Sequence, residues 1–378
     1  MSRITAIDSS RGLAVVLAML GHAANQFMGQ VEGIGAIQAI QLIFTRTATP
    51  TFMILFGIMI ELVYLKRLRA GGPEDRVRLR LISRMLTCYV LFAAIALAAM
   101  ITGKLMVQDT LEAVLFLGPG RFGNVLKIYT GLFLLIVLTL PWAIRWGSRF
   151  YLGLAVVAWA LKYAFQAIGV PDLHLVHFIF GHATGFGPAI LLGVTLVAYG
   201  LLIGEALSGY RRPGPAVLML AAALGLLVFG VLSGDPVAFV MATITDYRWQ
   251  NVPYYFAYGI VACSASLAGF WLLGRLLPGR DAAAPSTALS FETLGRDTLF
   301  YYGFGNIAIN LLPVYDGSSP VIGYGLALGF LGALTAISMT RGQLFALGNR
   351  LFFGLPARLH AGYGQVISGL ATRLARAG

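Results

Sequence analysis

The residues best suited to chemistry lie near the start of the chain, in RITAIDSSRGLAVVLAMLGHAANQ (3–26). Here Arg11 and His22 are eleven positions apart. In an α-helix that spacing places them about 20° apart around the axis and about 16 Å apart along it. Asp8, three residues before Arg11, is close enough in a helix to pair with it. One helix face is therefore predicted to carry a charged pair at one end and an imidazole further along.

These groups suit the transfer of an acyl group to a hydroxyl. A histidine with an ordinary pKa of about 6.5 can accept the proton of an attacking hydroxyl as a general base. An arginine can bind the phosphates of an acyl-CoA donor through paired hydrogen bonds. The alternative is structural, because a polar residue in a membrane helix often hydrogen-bonds a neighbouring helix. A single helix with one histidine does not decide between the two.

Composition places this helix in a membrane protein. Of the 378 residues, 58% are hydrophobic and only 11% are charged, whereas roughly 25% are charged in an average soluble domain. Apolar runs recur along the chain, each long enough to cross a hydrocarbon core about 30 Å thick. They are continuous, whereas the strands of a membrane barrel alternate with period two. We therefore predict an all-α polytopic membrane protein with about ten transmembrane helices.

The predicted spans form a single membrane domain over residues 1–340. They lie near 11–31, 37–65, 84–103, 123–143, 150–169, 187–207, 215–233, 253–273, 298–315 and 320–340. Residues 279–290 are predicted to form a cytoplasmic linker. Residues 341–378 form a basic amphipathic tail, which could lie flat on the inner leaflet or be an ordinary frayed terminus.

The cations are distributed unevenly between the loops. With an even number of spans, one side carries 21 of the 27 Lys and Arg residues and the opposite loops carry five, while Arg46 lies within the second span. Cytoplasmic loops carry the positive excess, so both termini are predicted to lie in the cytoplasm of a bacterium and the spans in its inner membrane. Because the cations cluster in short loops between apolar runs, no nucleic-acid partner is expected. A disulfide framework is not indicated either, because Cys88 and Cys263 both fall in apolar runs.

Three segments resemble the transmembrane acyltransferase superfamily, which includes acyltransferase family 3 proteins, periplasmic-glucan succinyltransferases and heparan-glucosaminide acetyltransferases. IDSSRGLAVVLAMLGH (7–22) resembles the first-helix signature of that group, with ten residues between Arg11 and His22. TRTATPTFMILFG (45–57) is similar to its second-helix pattern of a proline, aromatic residues and a closing glycine. LGRDTLFYY (294–302) looks like the stretch that enters a late helix.

The resemblance implies a cytoplasmic acyl-CoA donor and an acceptor at the outer face, usually a sugar hydroxyl. It implies that His22 is catalytic and Arg11 essential, and it transfers more weakly to Arg46 and Arg296. No cofactor is expected to be bound permanently, since acyl-CoA is a co-substrate. The expected partners are membrane lipid, acyl-CoA and a glycan or glycolipid, and a homo-oligomer is compatible with the pattern. In a departure from the family, the histidine that often closes the late-helix stretch is absent, and Gly303, Phe304, Gly305 and Asn306 follow instead.

Other polar residues are weaker candidates for binding the donor or the acceptor. Arg46 could bind the donor or stabilise charge on the tetrahedral intermediate, or it could snorkel to the outer surface. The predicted outer loop TDYRWQNVPYY (245–255) mixes Asp246, Tyr247, Arg248 and Trp249. Sugars favour such mixtures of charged and aromatic residues, and the aromatic belt of a membrane interface has the same composition.

Three asparagines and one aspartate are candidates for the lining of the same cavity. Asn25 follows His22 by three residues on the first helix. Asn306, Asn310 and Asp316 lie in the ninth predicted span. For these three the alternative is hydrogen bonding between helices.

Two further groups have mainly structural interpretations. Glu61 lies close to Lys66 at the inner end of the second span, where an ion pair is expected. His174, His177 and His182 fall within nine residues of a predicted outer loop, and such a cluster raises a zinc hypothesis. No cysteine lies near them, so acceptor binding and a plain interfacial loop stay open and no metal is assigned.

The sequence supports an integral-membrane O-acyltransferase, with acetyl or succinyl as the transferred group. A transporter or flippase for an envelope polysaccharide precursor is the main rival, because buried charges among many helices also suit transport. A transporter of this kind should show paired halves with broken helices, and we find no such symmetry in the sequence. A non-catalytic subunit of a polysaccharide machine is the third hypothesis.

Overall fold

The computed structural model describes residues 4–28, 35–171, 173–182, 187–276, 291–315, 319–351 and 355–377. All regular secondary structure within these ranges is helical, and none of them contains a strand. The prediction of an all-α chain is confirmed. Asp316 and the predicted linker 279–290 lie outside the described residues.

Nine helices form in the described residues of the first part of the chain, up to Ile168. They are α1 (Thr5–Phe27), α2 (Ala36–Thr45), α3 (Ala48–Met59), α4 (Lys66–Arg69), α5 (Glu74–Ile101), α6 (Val107–Val114), α7 (Asn124–Leu138), α8 (Leu140–Trp146) and α9 (Ser148–Ile168). A π-helical turn, Ile60–Leu65, joins α3 to α4.

Ten helices follow in the described residues of the second part. They are α10 (His174–Phe180), α11 (Ile190–Leu207), α12 (Gly214–Leu232), α13 (Pro236–Ile244), α14 (Asp246–Trp249), α15 (Pro253–Leu276), α16 (Phe291–Arg296), α17 (Thr298–Leu311), α18 (Pro320–Leu351) and α19 (Leu355–Ala377). The predicted tail 341–378 thus comprises the end of α18 and α19, which packs against α5.

Seven helical segments of the described chain are long and apolar enough to cross a membrane. They are 36–69, 74–101, 148–168, 190–207, 214–232, 253–276 and 320–346. Helices α7 and α8, bent by 72° at their junction, make an eighth if they form one span. The chain is therefore a multi-pass membrane protein.

The distribution of side chains agrees with an apolar solvent. Large aliphatic residues lie on the outside, including Leu218 (71% exposed) and Leu232 (79% exposed) on α12. The side chains of Glu61, Lys127 and Glu205 are completely buried. A soluble protein has the opposite arrangement, since it exposes charges and buries its aliphatic side chains.

All ten predicted spans coincide with helices, but two of these helices are not among the apolar segments. Helix α1 carries Asp8, Arg11 and His22, which lower its mean hydropathy, and α17 has only 14 residues. Short helices also form where loops were expected: α6, α10, α13, α14 and α16. Helices of four to nine residues are too short to give a clear periodic pattern.

Helix α1 lies at the centre of the fold, packed against α2, α3, α15, α16, α17 and α18. Glycines permit the closest of these contacts. A Cβ atom on Gly12 of α1 would collide with the carbonyl of Phe291 on α16, and one on Gly295 would collide with the carbonyl of Asp8. The backbones of α1 and α16 therefore touch, as they do where small residues line membrane-helix interfaces.

A buried network of charges joins α4, α9 and α11 near the π-helical turn. Arg69 donates to Glu61 in a bidentate pair, with Nη1 to Oε1 at 2.6 Å and Nη2 to Oε2 at 3.1 Å. Glu205 accepts hydrogen bonds from the backbone and hydroxyl of Ser148 at 2.8 and 2.6 Å, and Arg211 lies 3.5 Å from it. We call these five residues the Glu61–Glu205 network.

The predicted partner of Glu61 was wrong. Lys66 is exposed, and the carboxylate of Glu61 pairs with Arg69 instead. Glu61 lies in the π-helical turn, whose wider spacing changes the register between the two ends of the segment. Glu61 therefore does form a structural ion pair, but its partner is Arg69 and not Lys66.

Candidate active site

His22 lines a cavity between α1, the junction of α2 with α3, α7 and α14. The cavity encloses about 510 Å³ of empty space, part of it open to the surroundings. We call it the His22 cavity. Its polar lining, besides His22, consists of Asn25, Gln41, Thr45, Arg46, Thr49 and Arg248.

The His22 ring is held by an asparagine of α17. Nδ1 of His22 lies 2.7 Å from Oδ1 of Asn306, and the Nδ2 group of Asn306 donates to the carbonyl of Tyr302 at 2.8 Å. Since that amide nitrogen is occupied, the amide oxygen faces the histidine and accepts its Nδ1 proton. A neutral imidazole protonated at Nδ1 has its lone pair at Nε2, so His22 presents a base.

Two aromatic rings fix the plane of the imidazole. Phe122 stacks on His22 with ring centroids 4.8 Å apart, and Tyr302 meets its edge at 5.8 Å. Phe122 has a φ of 58°, which side chains other than glycine and asparagine seldom adopt. The hydroxyl of Tyr302 donates to the carbonyl of Phe122 at 2.8 Å, so α17 holds both the histidine and the ring that covers it.

The C-terminal end of α17 is tied down by side chains from other segments. Nζ of Lys104 donates to the carbonyl of Asn310 at 2.7 Å and also to that of Leu312. Gln26 donates to the carbonyl of Leu312 at 3.0 Å and accepts from Arg121 at 2.9 Å. Burial lowers the pKa of Lys104, and the nearby charge of Arg121 lowers that pKa further. These bonds satisfy carbonyls that a helix end leaves open and so position Asn306.

Arg11, near the start of α1, is not part of the His22 cavity. Nη1 of Arg11 lies 3.6 Å from Oδ1 of Asp8, as their spacing predicted. Asp8 is buried, whereas the side chain of Arg11 is 22% exposed. At about 1.5 Å per residue, this pair lies about 16 Å along α1 from His22. Arg296 lies in α16, half-exposed and paired with Glu292.

Of the predicted binding residues, the structure places Asn25 and Arg46 on the His22 cavity and Asn306 behind the histidine. Asp246 is exposed, and Trp249 is 37% exposed; neither is among the lining residues. The loop contributes Arg248 instead, whose guanidinium carbon lies 4.5 Å from the Trp249 ring.

The sequence named Arg248 as part of the mixed composition of this loop but chose Asp246 and Trp249 as the binding candidates. The loop was singled out for its mixed composition, but α14 is a single turn whose orientation hydropathy does not reveal. Asn310, by contrast, donates to the carbonyl of Ile95 at 3.5 Å. It therefore takes the interhelical role that the sequence left open.

None of the three histidines of the predicted outer loop lines the His22 cavity. Nε2 of His174 lies 3.2 Å from Nζ of Lys127, and Nε2 of His182 lies 3.2 Å from the carbonyl of Pro171. The rings of His177 and His182 meet edge to face at 5.9 Å. Across the described residues, no group of three His, Cys, Asp or Glu side chains could hold a metal ion.

Compared with protein-family models, with curated proteins and with solved structures, the chain matches none of them. Function is therefore inferred from the geometry of the His22 cavity.

Proposed function

We propose that this protein is an integral-membrane O-acyltransferase. It moves an acetyl or succinyl group from cytoplasmic acyl-CoA to a hydroxyl of an extracytoplasmic glycan or glycolipid. The observation that carries the proposal is the hydrogen bond from His22 Nδ1 to Asn306, which leaves Nε2 with a lone pair on a ring that lines an open cavity. A histidine oriented by an asparagine in this way is also the base of Cys-His-Asn proteases.

The reaction uses two proton transfers, one from the acceptor hydroxyl to His22 and one from His22 to the departing thiolate. Nε2 of His22 accepts the proton of the acceptor hydroxyl while the hydroxyl oxygen attacks the thioester carbonyl carbon. The carbon–sulfur bond then breaks, the proton passes from Nε2 to the departing thiolate, and the products are an ester and free coenzyme A. Asn306 keeps the proton on Nδ1 throughout, because its amide nitrogen stays bound to the carbonyl of Tyr302.

The membrane arrangement we propose has ten spans with both termini in the cytoplasm of a bacterium, in its inner membrane. Helices α1 and α17 complete the ten when they are added to the seven apolar segments and the bent pair. Helix α1 is not among the apolar segments because it carries Asp8, Arg11 and His22, and α17 is not among them because it has only 14 residues. The excess of cations on one side sets the orientation.

In this orientation Arg11 lies at the cytoplasmic mouth. It holds the phosphates of the donor, and Asp8 orients it through the 3.6 Å ion pair. The distance of about 16 Å to His22 requires an extended thioester arm between the two.

Purified protein in lipid should release free thiol from acetyl-CoA or succinyl-CoA when an envelope-glycan extract is added. His22→Gln should lower this release about 10²- to 10⁴-fold, the usual contribution of a general base. His182→Gln is the matched control, because that buried histidine does not line the cavity, and it should retain wild-type release.

Thiol release by His22→Gln equal to that of the wild type would overturn the role of His22. No release by folded wild-type protein with either donor, and no binding of acyl-CoA, would favour the transporter. Folding of each variant is checked by its unfolding midpoint in the same detergent.

A further inference from the structure

Two arginines from distant parts of the chain meet at the His22 cavity. Arg46 lies between α2 and α3, and Arg248 lies in α14. The backbone at Arg46 is held in place, since Tyr255 donates to its carbonyl at 3.4 Å and Tyr258 donates to the carbonyl of Ile43. The backbone that carries this guanidinium is therefore held by α15 as well as by its own helices.

Neither guanidinium group has its full set of partners. Nε of Arg46 and both Nε and Nη1 of Arg248 are buried without a hydrogen-bond partner in the described part of the chain. A buried donor left without a partner costs free energy, and the cost is larger for a charged group. Such groups persist in a folded protein when they serve something besides folding.

The cavity also lacks a compensating negative charge. None of its described lining residues is an aspartate or glutamate. Its remaining polar groups are the neutral side chains of Asn25, Gln41, Thr45 and Thr49, besides His22. Two positive charges without a carboxylate attract an anion from outside, and a guanidinium group matches the oxygens of phosphate and carboxylate in a bidentate manner.

We propose that Arg46 and Arg248 bind an anionic oxygen group, a phosphate or a carboxylate, carried by the acceptor. The acceptor is then an acidic or phosphorylated glycan or glycolipid, and the neutral amide and hydroxyl groups nearby bind its sugar hydroxyls. The anion site follows from the cavity itself, whereas its assignment to the acceptor rests on the proposed function.

The donor is a less suitable source of this anion. In the proposed arrangement its phosphates are held by Arg11, about 16 Å from His22 along α1. Arg248 belongs to the segment between α12 and α15 that is predicted to face the outside. An anion between Arg46 and Arg248 therefore enters from the acceptor side and holds a nearby hydroxyl against Nε2 of His22.

Anion binding can be measured without any turnover. The full-length protein is purified in a maltoside detergent, and its unfolding midpoint is followed as sodium phosphate replaces sodium chloride at constant ionic strength. A ligand that binds the native state raises the midpoint with concentration. Glucose 6-phosphate, glucose and phosphatidylglycerol are the three further probes.

We expect phosphate and glucose 6-phosphate to raise the midpoint and glucose to leave it unchanged. Arg248→Gln and Arg46→Gln should each raise the half-effective phosphate concentration about tenfold or more, since each removes charge-assisted hydrogen bonds. Arg78→Gln is the matched control, because Arg78 pairs with Glu74 on α5 and does not line the cavity, and it should behave as the wild type.

An equal phosphate response in the wild type and in both cavity variants would overturn the anion site. If Arg46→Gln does not fold, the charge-retaining Arg46→Lys takes its place beside Arg248→Gln. A phosphate response equal to that of the wild type in both of these variants then overturns the anion site. A response to phosphatidylglycerol but not to glucose 6-phosphate would identify a lipid-headgroup site and overturn the acceptor assignment. A specific phosphate response in a protein without acyl transfer would leave the anion site standing and refute only the proposed function.

Discussion

Two groups of buried charges in this protein are neutralised to different degrees. In the Glu61–Glu205 network, both carboxylates are completely buried and each meets an arginine, with the Glu61–Arg69 pair at 2.6 Å. In the His22 cavity, Arg46 and Arg248 keep buried donors without partners and no described lining residue is acidic. The first group is complete within the protein, and the second is not.

We propose that this difference separates charges that stabilise the fold from charges that serve the proposed function. Removing one member of a complete buried pair leaves the other uncompensated, which is strongly destabilising. Removing an unpaired charge relieves a cost that the folded state already bears. Buried charge in a membrane protein marks function in general, but here the state of its partners distinguishes the two roles.

The largest expected effect is on the complete network. Glu205→Ala removes the acceptor of both Ser148 hydrogen bonds and the carboxylate that pairs with Arg211. We expect the free energy of unfolding to fall by about 3–5 kcal/mol, measured by denaturant unfolding in detergent. The control is Glu74→Ala, which removes the partner of Arg78 on a more exposed surface and should cost less than about 1 kcal/mol. An equal loss of unfolding free energy in the two variants would contradict the stabilising role of the Glu61–Glu205 network.

The next effect concerns a neutral support of the His22 cavity. Asn306→Leu removes the acceptor of the His22 Nδ1 proton, so the ring loses both its orientation and its preferred tautomer. We expect turnover to fall about 10²-fold, as for a small displacement of a reacting group. Asn306→Asp keeps an oxygen at that position and should lose less. Wild-type turnover in the leucine variant would show that Asn306 does not position His22.

At Arg248 we expect the opposite effect on stability, because this substitution should raise the free energy of unfolding. Arg248→Met removes two donor nitrogens that are buried without partners, so the free energy of unfolding should rise by about 1–2 kcal/mol in a chloride buffer. Acyl transfer should fall in the same variant. A loss of stability like that of Glu205→Ala would mean that Arg248 is a structural charge and would remove the distinction between the two groups.

The smallest effect is predicted for the ring that covers His22. Phe122→Ala removes a stacked contact with centroids 4.8 Å apart, worth about 1 kcal/mol. Turnover should therefore fall about fivefold. Phe122→Tyr retains the ring and should stay near the wild type. A larger loss in the tyrosine variant than in the alanine variant would contradict the stacking role.

The elements were more predictable than their contacts. Long apolar runs predicted all ten segments as helices, because hydropathy and length suffice for that inference. The register of Arg11 and His22 on α1 followed from helix geometry, and the Asp8–Arg11 pair is present at 3.6 Å. Short helices such as α14 were not predicted, since a single turn has no periodic pattern to detect.

The residues that make up the site come together through contacts between distant parts of the chain, and no local sequence pattern reveals such contacts. Asn306 lies 284 positions from His22 and meets it only because α17 packs on α1. The loop 245–255 was singled out from its composition, but the residue of it that lines the cavity is Arg248, not Asp246 or Trp249. In a membrane, lipid is as apolar as the helices, so hydropathy does not show which helix faces meet.

The most direct test of the account is acyl transfer across a sealed membrane. The protein is reconstituted in vesicles with acyl-labelled acetyl-CoA or succinyl-CoA on one side and an acidic envelope-glycan extract on the other. The account predicts labelled ester on the acceptor side for the wild type with one of these donors, and about 10²-fold less or lower still for His22→Gln. Labelled ester formed equally by both proteins, or glycan crossing the membrane without acylation, would contradict it.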